Sequence, residues 1–274
     1  MSSTRAHWPA LWSALTAALT ALAACTAPDG SAGPERTAPA PAVTPAPAVT
    51  AALRQAERST DRAASSYVES TTTLGSSLSM TARGTLAWHG PLTGTLRIRY
   101  TGGSTADTMR RLGTTSMEAR YLPDAYYARM GEVFAGRTDG RHWIRYAYDD
   151  LERLAGSSGA DLADRMRDTA PHTSVKRLLA SSDVRRVGEE TVRGTRTTHY
   201  SGTVPGEGAH AQTVEIWVDD RDLLVKKVEK GRTATGALTQ TAFYRDYGVG
   251  VTVSKPPAGD TADLGELLGS EPGS

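Results

Sequence analysis

Asparagine is missing from these 274 residues, phenylalanine occurs twice (Phe134, Phe243) and lysine is scarce beside arginine. That profile is the coding bias of a GC-rich genome, so the abundance of arginine says little about function. The single cysteine excludes an internal disulfide framework and any Cys-based structural zinc site. An excess of one charge is also lacking: 31 Lys+Arg stand against 30 Asp+Glu, a formal net charge of +1. A strongly basic surface for nucleic acid is therefore not expected. Long apolar stretches are lacking apart from one near the N-terminus, which excludes a multi-span membrane protein. What is there, 39% hydrophobic and 22% charged residues, is too apolar and too nearly neutral for intrinsic disorder. The length suits one sizeable domain or two small ones.

Motifs of catalysis are lacking too. No GxSxG elbow, SxxK or HExxH is present, and the six histidines (7, 89, 142, 172, 199, 210) form no i,i+4 pair. His142 and His199 read as strand residues rather than ligands. Gly206-Glu207-Gly208-Ala209-His210-Ala211 imitates a phosphate loop but leads into a strand, where no helix N-terminus waits for phosphate. Adjacent acids at 149–150, 189–190 and 219–220 point to opposite faces in a strand and cap or solvate in a turn. The sequence thus predicts no catalytic residue, no metal ligand, no cofactor and no enzyme activity. Lys226-Lys227 with Lys230 reads as a modest basic patch on a solvated strand face, of a kind that anionic headgroups could meet.

The N-terminus carries Arg5, an apolar run from Trp8 to Ala24, and the sequence Leu22-Ala23-Ala24-Cys25. A positive start, an apolar centre and small residues before a cut describe a secretory signal, here residues 1–24. Leu-Ala-Ala-Cys resembles the lipobox of bacterial lipoproteins, in which the cysteine is diacylated and becomes the new N-terminus. The resemblance implies an exported chain moored through Cys25 to the outer face of the cell membrane. The alternative is an ordinary signal peptide cut at an Ala-x-Ala-like site, with Cys25 a bystander. Loss of residues 1–24 removes one arginine and leaves 30 basic against 30 acidic side chains.

Residues 25–50 form an Ala/Pro/Thr-rich tether holding six of the fourteen prolines. Proline removes backbone donors, so neither helix nor sheet is expected there. Extended at about 3.1 Å per residue, the segment reaches at most roughly 75 Å.

Residues 51–260 read as one domain. Leu53, Ala56, Thr60 and Ala63 recur at helical spacing, predicting a helix over 51–66. Period two then takes over: Leu92, Gly94, Leu96, Ile98 and Tyr100 alternate with Thr93, Thr95, Arg97 and Arg99. Similar alternation predicts strands at 78–88, 117–121, 125–130, 143–148, 195–203, 213–218, 223–230 and 239–247. Turn chemistry such as His89-Gly90-Pro91 separates them, so an antiparallel meander is expected. Residues 149–182 instead show helical spacing (Leu151, Leu154, Leu162, Met166, Val175, Leu178), cut by Gly156–Gly159 and Pro171 into short helices. Residues 261–274 read as a polar tail.

In this order the pieces resemble the LolA-like superfamily, in particular its actinobacterial lipoproteins related to LppX and LprG. The local cues are Tyr126–Gly131, Gly140–Ile144, Val187–Glu190 leading to Thr197–Tyr200, Val214–Asp219, and Tyr244–Gly248 followed by Lys255–Pro257. The resemblance implies an α+β fold: a curved antiparallel half-barrel sheet capped by the N-terminal helix and the mid-chain helical insert. It further implies a non-catalytic, surface-anchored protein that binds or carries a lipid, a glycolipid or another hydrophobic ligand in the hollow. Candidate lining residues are Leu86, Trp88, Leu96, Ile98 and Tyr100, then Ile144, Tyr146, Ile216 and Val218, with Leu178 and Leu179 from the insert. An ordinary filled core is the competing reading for each. Small or polar inward positions such as Gly94, Ala119 and Thr198 point to a smaller or better-filled hollow than a glycolipid carrier needs. With a filled core the alternative function is an envelope sensory or protein-interaction module of the same fold, its partner an envelope protein.

Overall fold

The computed structural model describes residues 47–150, 169–206 and 211–269. The expected signal peptide, Cys25, the tether up to position 46 and residues 151–168 of the insert lie outside the described residues.

Helix α1 spans Pro47–Arg62 and buries Leu53, Ala56 and Thr60. It starts four residues inside the expected tether, because proline is tolerated in a first helical turn whose N–H groups have no partner anyway. It also stops four residues early. Ala64 takes a left-handed conformation (φ 63°) and turns the chain into strand β1, Ser65–Leu74. Strands β2 (Leu78–Ala87) and β3 (Thr93–Gly102) follow, then helix α2 (Gly103–Arg111), β4 (Ser116–Tyr121), β5 (Ala125–Arg129), the single turn α3 (Glu132–Ala135) and β6 (Trp143–Ala147). After helix α4 (Pro171–Leu179) come β7 (Arg185–Val192), β8 (Thr195–Pro205), β9 (Ala211–Asp219), β10 (Leu224–Thr233) and β11 (Gly236–Arg245). A 3₁₀ turn at Ala258–Asp260, strand β12 (Thr261–Asp263) and helix α5 (Leu264–Gly269) close the described chain.

All twelve described strands belong to one open, curved sheet in the order β12-β6-β5-β4-β3-β2-β1-β11-β10-β9-β8-β7. Two meanders, β1–β6 and β7–β11, meet where β1 pairs with β11. Among the described residues every strand pairing is antiparallel except that of β12 with β6. The α+β half-barrel expected from the sequence is the observed architecture. The expected polar tail is not: Ala262 and Leu264 are buried, and residues 261–263 add an edge strand to the sheet.

Period two decides which face each strand buries. On the concave face the buried side chains include Val68, Leu86, Leu96, Ile98, Ala119, Ile144, Ile216 and Leu224, which join one apolar cluster with Leu53 of α1 and Val175 and Leu178 of α4. Full burial of Val175 and Leu178 is worth roughly 1.5–3 kcal/mol each and seats α4. The convex face carries two small clusters. One is Ala125, Tyr127 and Trp143, crossed by the chain between β11 and β12. There Arg120 lies over the Trp143 ring (4.5 Å) and donates to the carbonyl of Ser254 (2.9 Å). The other is Val192, Trp217 and Val228.

Candidate ligand-binding hollow

The register of the central strands fixes what the concave floor is made of. Ser70 of β1 stands opposite Ala82 of β2 and Ala242 of β11. One step further in, Val68 faces Gly84. Small side chains thus occupy the middle of the sheet. Helix α4 packs against α1 and lies over β8–β10, while α2 lies against β2 and β3; no described helix packs broadly on β1 or β11. The floor between the two helices is accordingly half-buried at Ser70, Met80 and Gln240.

Toward the α2 end the floor becomes apolar and open. Leu74, Met80, Tyr100, Met117 and Leu238 come from five strands, β1, β2, β3, β4 and β11, and each is half-buried. Met80, Tyr100 and Met117 pack directly on the buried cluster, which also takes in Met109 and Met130. Methionine is unbranched and polarisable, so such a surface adapts to ligands of differing shape. Behind it Tyr121, Tyr126 and Tyr146 meet edge to face, with ring centroids 5.1 and 5.7 Å apart along the row. Burial pushes all three hydroxyls well above the ordinary phenol range, so they stay neutral and polarity here is dipolar, not ionic.

The opposite wall is ionic, and sequence reasoning missed it. Lys227 and Glu229 of β10 both face inward and pair at 3.2 Å, their side chains 12% and 8% exposed. From α4, Ser174 donates to Glu229 (3.1 Å) and Arg177 donates to Glu229 (3.3 Å) and to Gln212 (2.7 Å). Gln212 donates to the same carboxylate at 3.1 Å. Burial works against the charged Lys227, but Tyr244 and Glu229 outweigh it and hold its ammonium above the ordinary lysine value. Burial likewise raises Glu229, and Lys227 and Arg177 outweigh it, leaving the carboxyl below its ordinary value. The basic patch expected at Lys226-Lys227-Lys230 is therefore split. Lys226 lies over the Trp217 ring on the convex face (3.8 Å), Lys230 reaches Glu215 there, and Lys227 is inside. A β-bulge between Leu224 and Lys226 resets the alternation, so the face of Lys227 could be found only by pairing the strand with β9.

All eleven expected lining residues fall in or against the one concave cluster. Leu86, Trp88, Leu96, Ile98, Ile144, Tyr146, Leu178, Ile216 and Val218 are buried, and Tyr100 and Leu179 are half-buried. Trp88 serves as a fastener, since its indole N–H donates to the carbonyls of Asp61 (3.0 Å) and Thr60 (3.3 Å) at the end of α1. Two of the histidines and one of the acids singled out in the sequence have clear structural partners. His142 lies one residue before β6 rather than within it, and its ring nitrogens meet Asp260 (2.7 Å) and Glu132 (3.1 Å). His199 stacks on Trp217 and shares Glu190 with it. Asp219 caps the β9–β10 turn through the backbone N–H groups of Arg221 and Leu223.

No protein-family model matches the chain. A candidate lipoprotein of Streptomyces coelicolor (strain ATCC BAA-471 / A3(2) / M145) is 60% identical over 285 residues, covering 99% of each chain. An uncharacterised 31.2 kDa protein from the rplA-rplJ intergenic region of Streptomyces griseus is 45% identical over 251 residues, covering 81% of this chain and 82% of the relative. In fold the chain is similar to the crystal structure of LprF from Mycobacterium bovis, with a TM-score of 0.51 and 15% identity over 78% of this chain and 99% of that one. It is similar also to the Mycobacterium tuberculosis lipoprotein LppX, with a TM-score of 0.50 and 17% identity over 76% and 99%.

Proposed function

The chain belongs to the family of its Streptomyces coelicolor relative, as a LolA-like actinobacterial lipoprotein related to LppX, and from that membership we propose that it is a tethered, non-catalytic binder of a lipid or other hydrophobic ligand. Cys25, acylated after removal of residues 1–24, holds it at the outer face of the cell membrane, and the Pro-rich segment before α1 gives it stand-off. Two or three acyl chains anchor firmly where one does not. The hollow is the ligand site.

One observation carries this reading. The half-buried side chains Met80, Tyr100 and Met117 pack on the concave cluster, and half-buried Leu74 and Leu238 lie on the same face at the ends of β1 and β11. A filled and closed core would bury them, whereas an acyl chain laid across them gains roughly 25 cal/mol for each Å² taken from water. This apolar mouth is thus suited to a greasy molecule entering from the α2 end.

Native mass spectrometry of the full chain, extracted in mild detergent, tests the reading. A population carrying bound lipid is expected, and Met117→Asp should deplete it. A chain that arrives bare, and that takes up no phospholipid offered to it, would be a filled-core protein and would return the function to the protein-interaction alternative.

A further inference from the structure

The ionic wall of the hollow holds more positive than negative charge. Lys227 and Arg177 share one carboxylate, Glu229, which already accepts from Ser174, Arg177, Gln212 and Lys227. Two of the three ammonium protons of Lys227 are directed at Ser174 (3.0 Å) and Glu229 (3.2 Å), and among the described residues the third has no acceptor. Lys227 is barely exposed, so water cannot freely complete its shell. A buried cation left partly unpaired is costly, and a network clamping α4 to the sheet would need only one of the two cations.

Small side chains lie beside it. Across the floor from Lys227 stand two small side chains, the buried Ala242 and then the half-buried Ser70. The apolar mouth at Leu238 and Leu74 lies four residues further along β11 and β1, about 13 Å away at the usual strand rise. A charged group at Lys227 and an acyl chain toward the mouth therefore fit one amphiphile.

We propose that the hollow takes a lipid with an anionic headgroup, and that Lys227 and Arg177 pair with that group while its chains extend toward Met80, Tyr100 and Met117. The proposal rests on the ligand-binding reading above and adds the charge class of the ligand. The same two cations brace α4 through Glu229, so stability alone cannot test it; selectivity between headgroups can.

The test offers the full chain in neutral detergent three probes: phosphatidylglycerol, a diacylglycerol with the same acyl chains, and inorganic phosphate, each read by native mass spectrometry. The wild type should retain phosphatidylglycerol over diacylglycerol by roughly tenfold, as a charge-assisted contact in a desolvated site allows. Arg177→Gln, at a partly exposed position, and Lys227→Gln should each collapse that preference while diacylglycerol is still retained. Equal retention of the two lipids by the wild type would overturn the headgroup assignment and leave lipid binding standing. So would a preference that survives both substitutions. Lys227-dependent binding of phosphate without uptake of phosphatidylglycerol would make the cluster a free-anion site and overturn it as well. Retention of neither lipid, with no phosphate bound, would remove the ligand-binding reading and this inference with it.

Discussion

A β-carbon placed on Gly84 would stand 2.0 Å from the carbonyl oxygen of Thr95 on the neighbouring strand. Gly94, one residue before Thr95, is held as closely, 2.3 Å from the carbonyl oxygen of Thr85. Both glycines have φ near +155° (157° and 153°), which side-chain-bearing residues rarely adopt. The two strands close on one another here, and glycines so placed let a sheet bend. Gly84→Ala should lower unfolding free energy by roughly 3 kcal/mol through strain and displaced backbone. Urea denaturation followed by tryptophan fluorescence measures it; a loss within experimental scatter would show that the bend does not depend on this glycine.

Glu229 sets an acid limit on stability. Its folded carboxyl titrates below the ordinary value of 4.5, so the unfolded chain takes up the proton first. The stabilisation is complete above pH 4.5 and is lost as pH falls through the lower folded value. Glu229→Gln strands the buried Lys227 and should cost about 3 kcal/mol at neutral pH, while flattening the acid limb of a plot of stability against pH. Parallel wild-type and mutant limbs below pH 4.5 would mean that another carboxylate governs that range.

His142 behaves in the opposite sense. Hydrogen bonds to Asp260 and Glu132 raise its folded value above the ordinary 6.5. Its contribution is therefore whole below pH 6.5 and fades as pH climbs through the raised value. Hydrogen exchange in β12, corrected for the intrinsic rate at each pH, should be better protected at pH 6 than at pH 9. His142→Gln should erase that difference; a mutant with the same pH dependence would dissociate β12 docking from this ring.

Cys25→Ser tests the anchor. The substituted chain should lose acylation, seen as a mass deficit, and leave the membrane fraction for the medium. Unchanged membrane retention would move the attachment point elsewhere.

Much of this architecture could be read from residue pattern, and the gaps have physical causes. β3 was legible because Leu96 and Ile98 alternate with Arg97 and Arg99 over a face that is buried on one side only. β1 was not, because Ser70, Thr71, Thr72 and Thr73 are polar on both sides: the floor it lines is small-residued, and its neighbours supply the apolar bulk. β12 is three residues long and gains its identity only from a partner 118 positions earlier, as the His142–Asp260 contact shows. The apolar lining followed from alternation. The Lys227–Glu229 wall did not, since a bulge inverted the phase and two of its members reside on a helix.

The parallel pairing of β12 with β6 gives the chain an order of completion. β6 is made more than a hundred residues before β12, and until β12 follows, the edge that β12 covers is open to any passing strand. Such long-range closure is slow to find. Truncation shortly after Arg245 would leave the described sheet without β12, with an adhesive rim and with Trp143 covered on its outer side by little more than Arg120, a species more inclined to stick to its siblings than to melt.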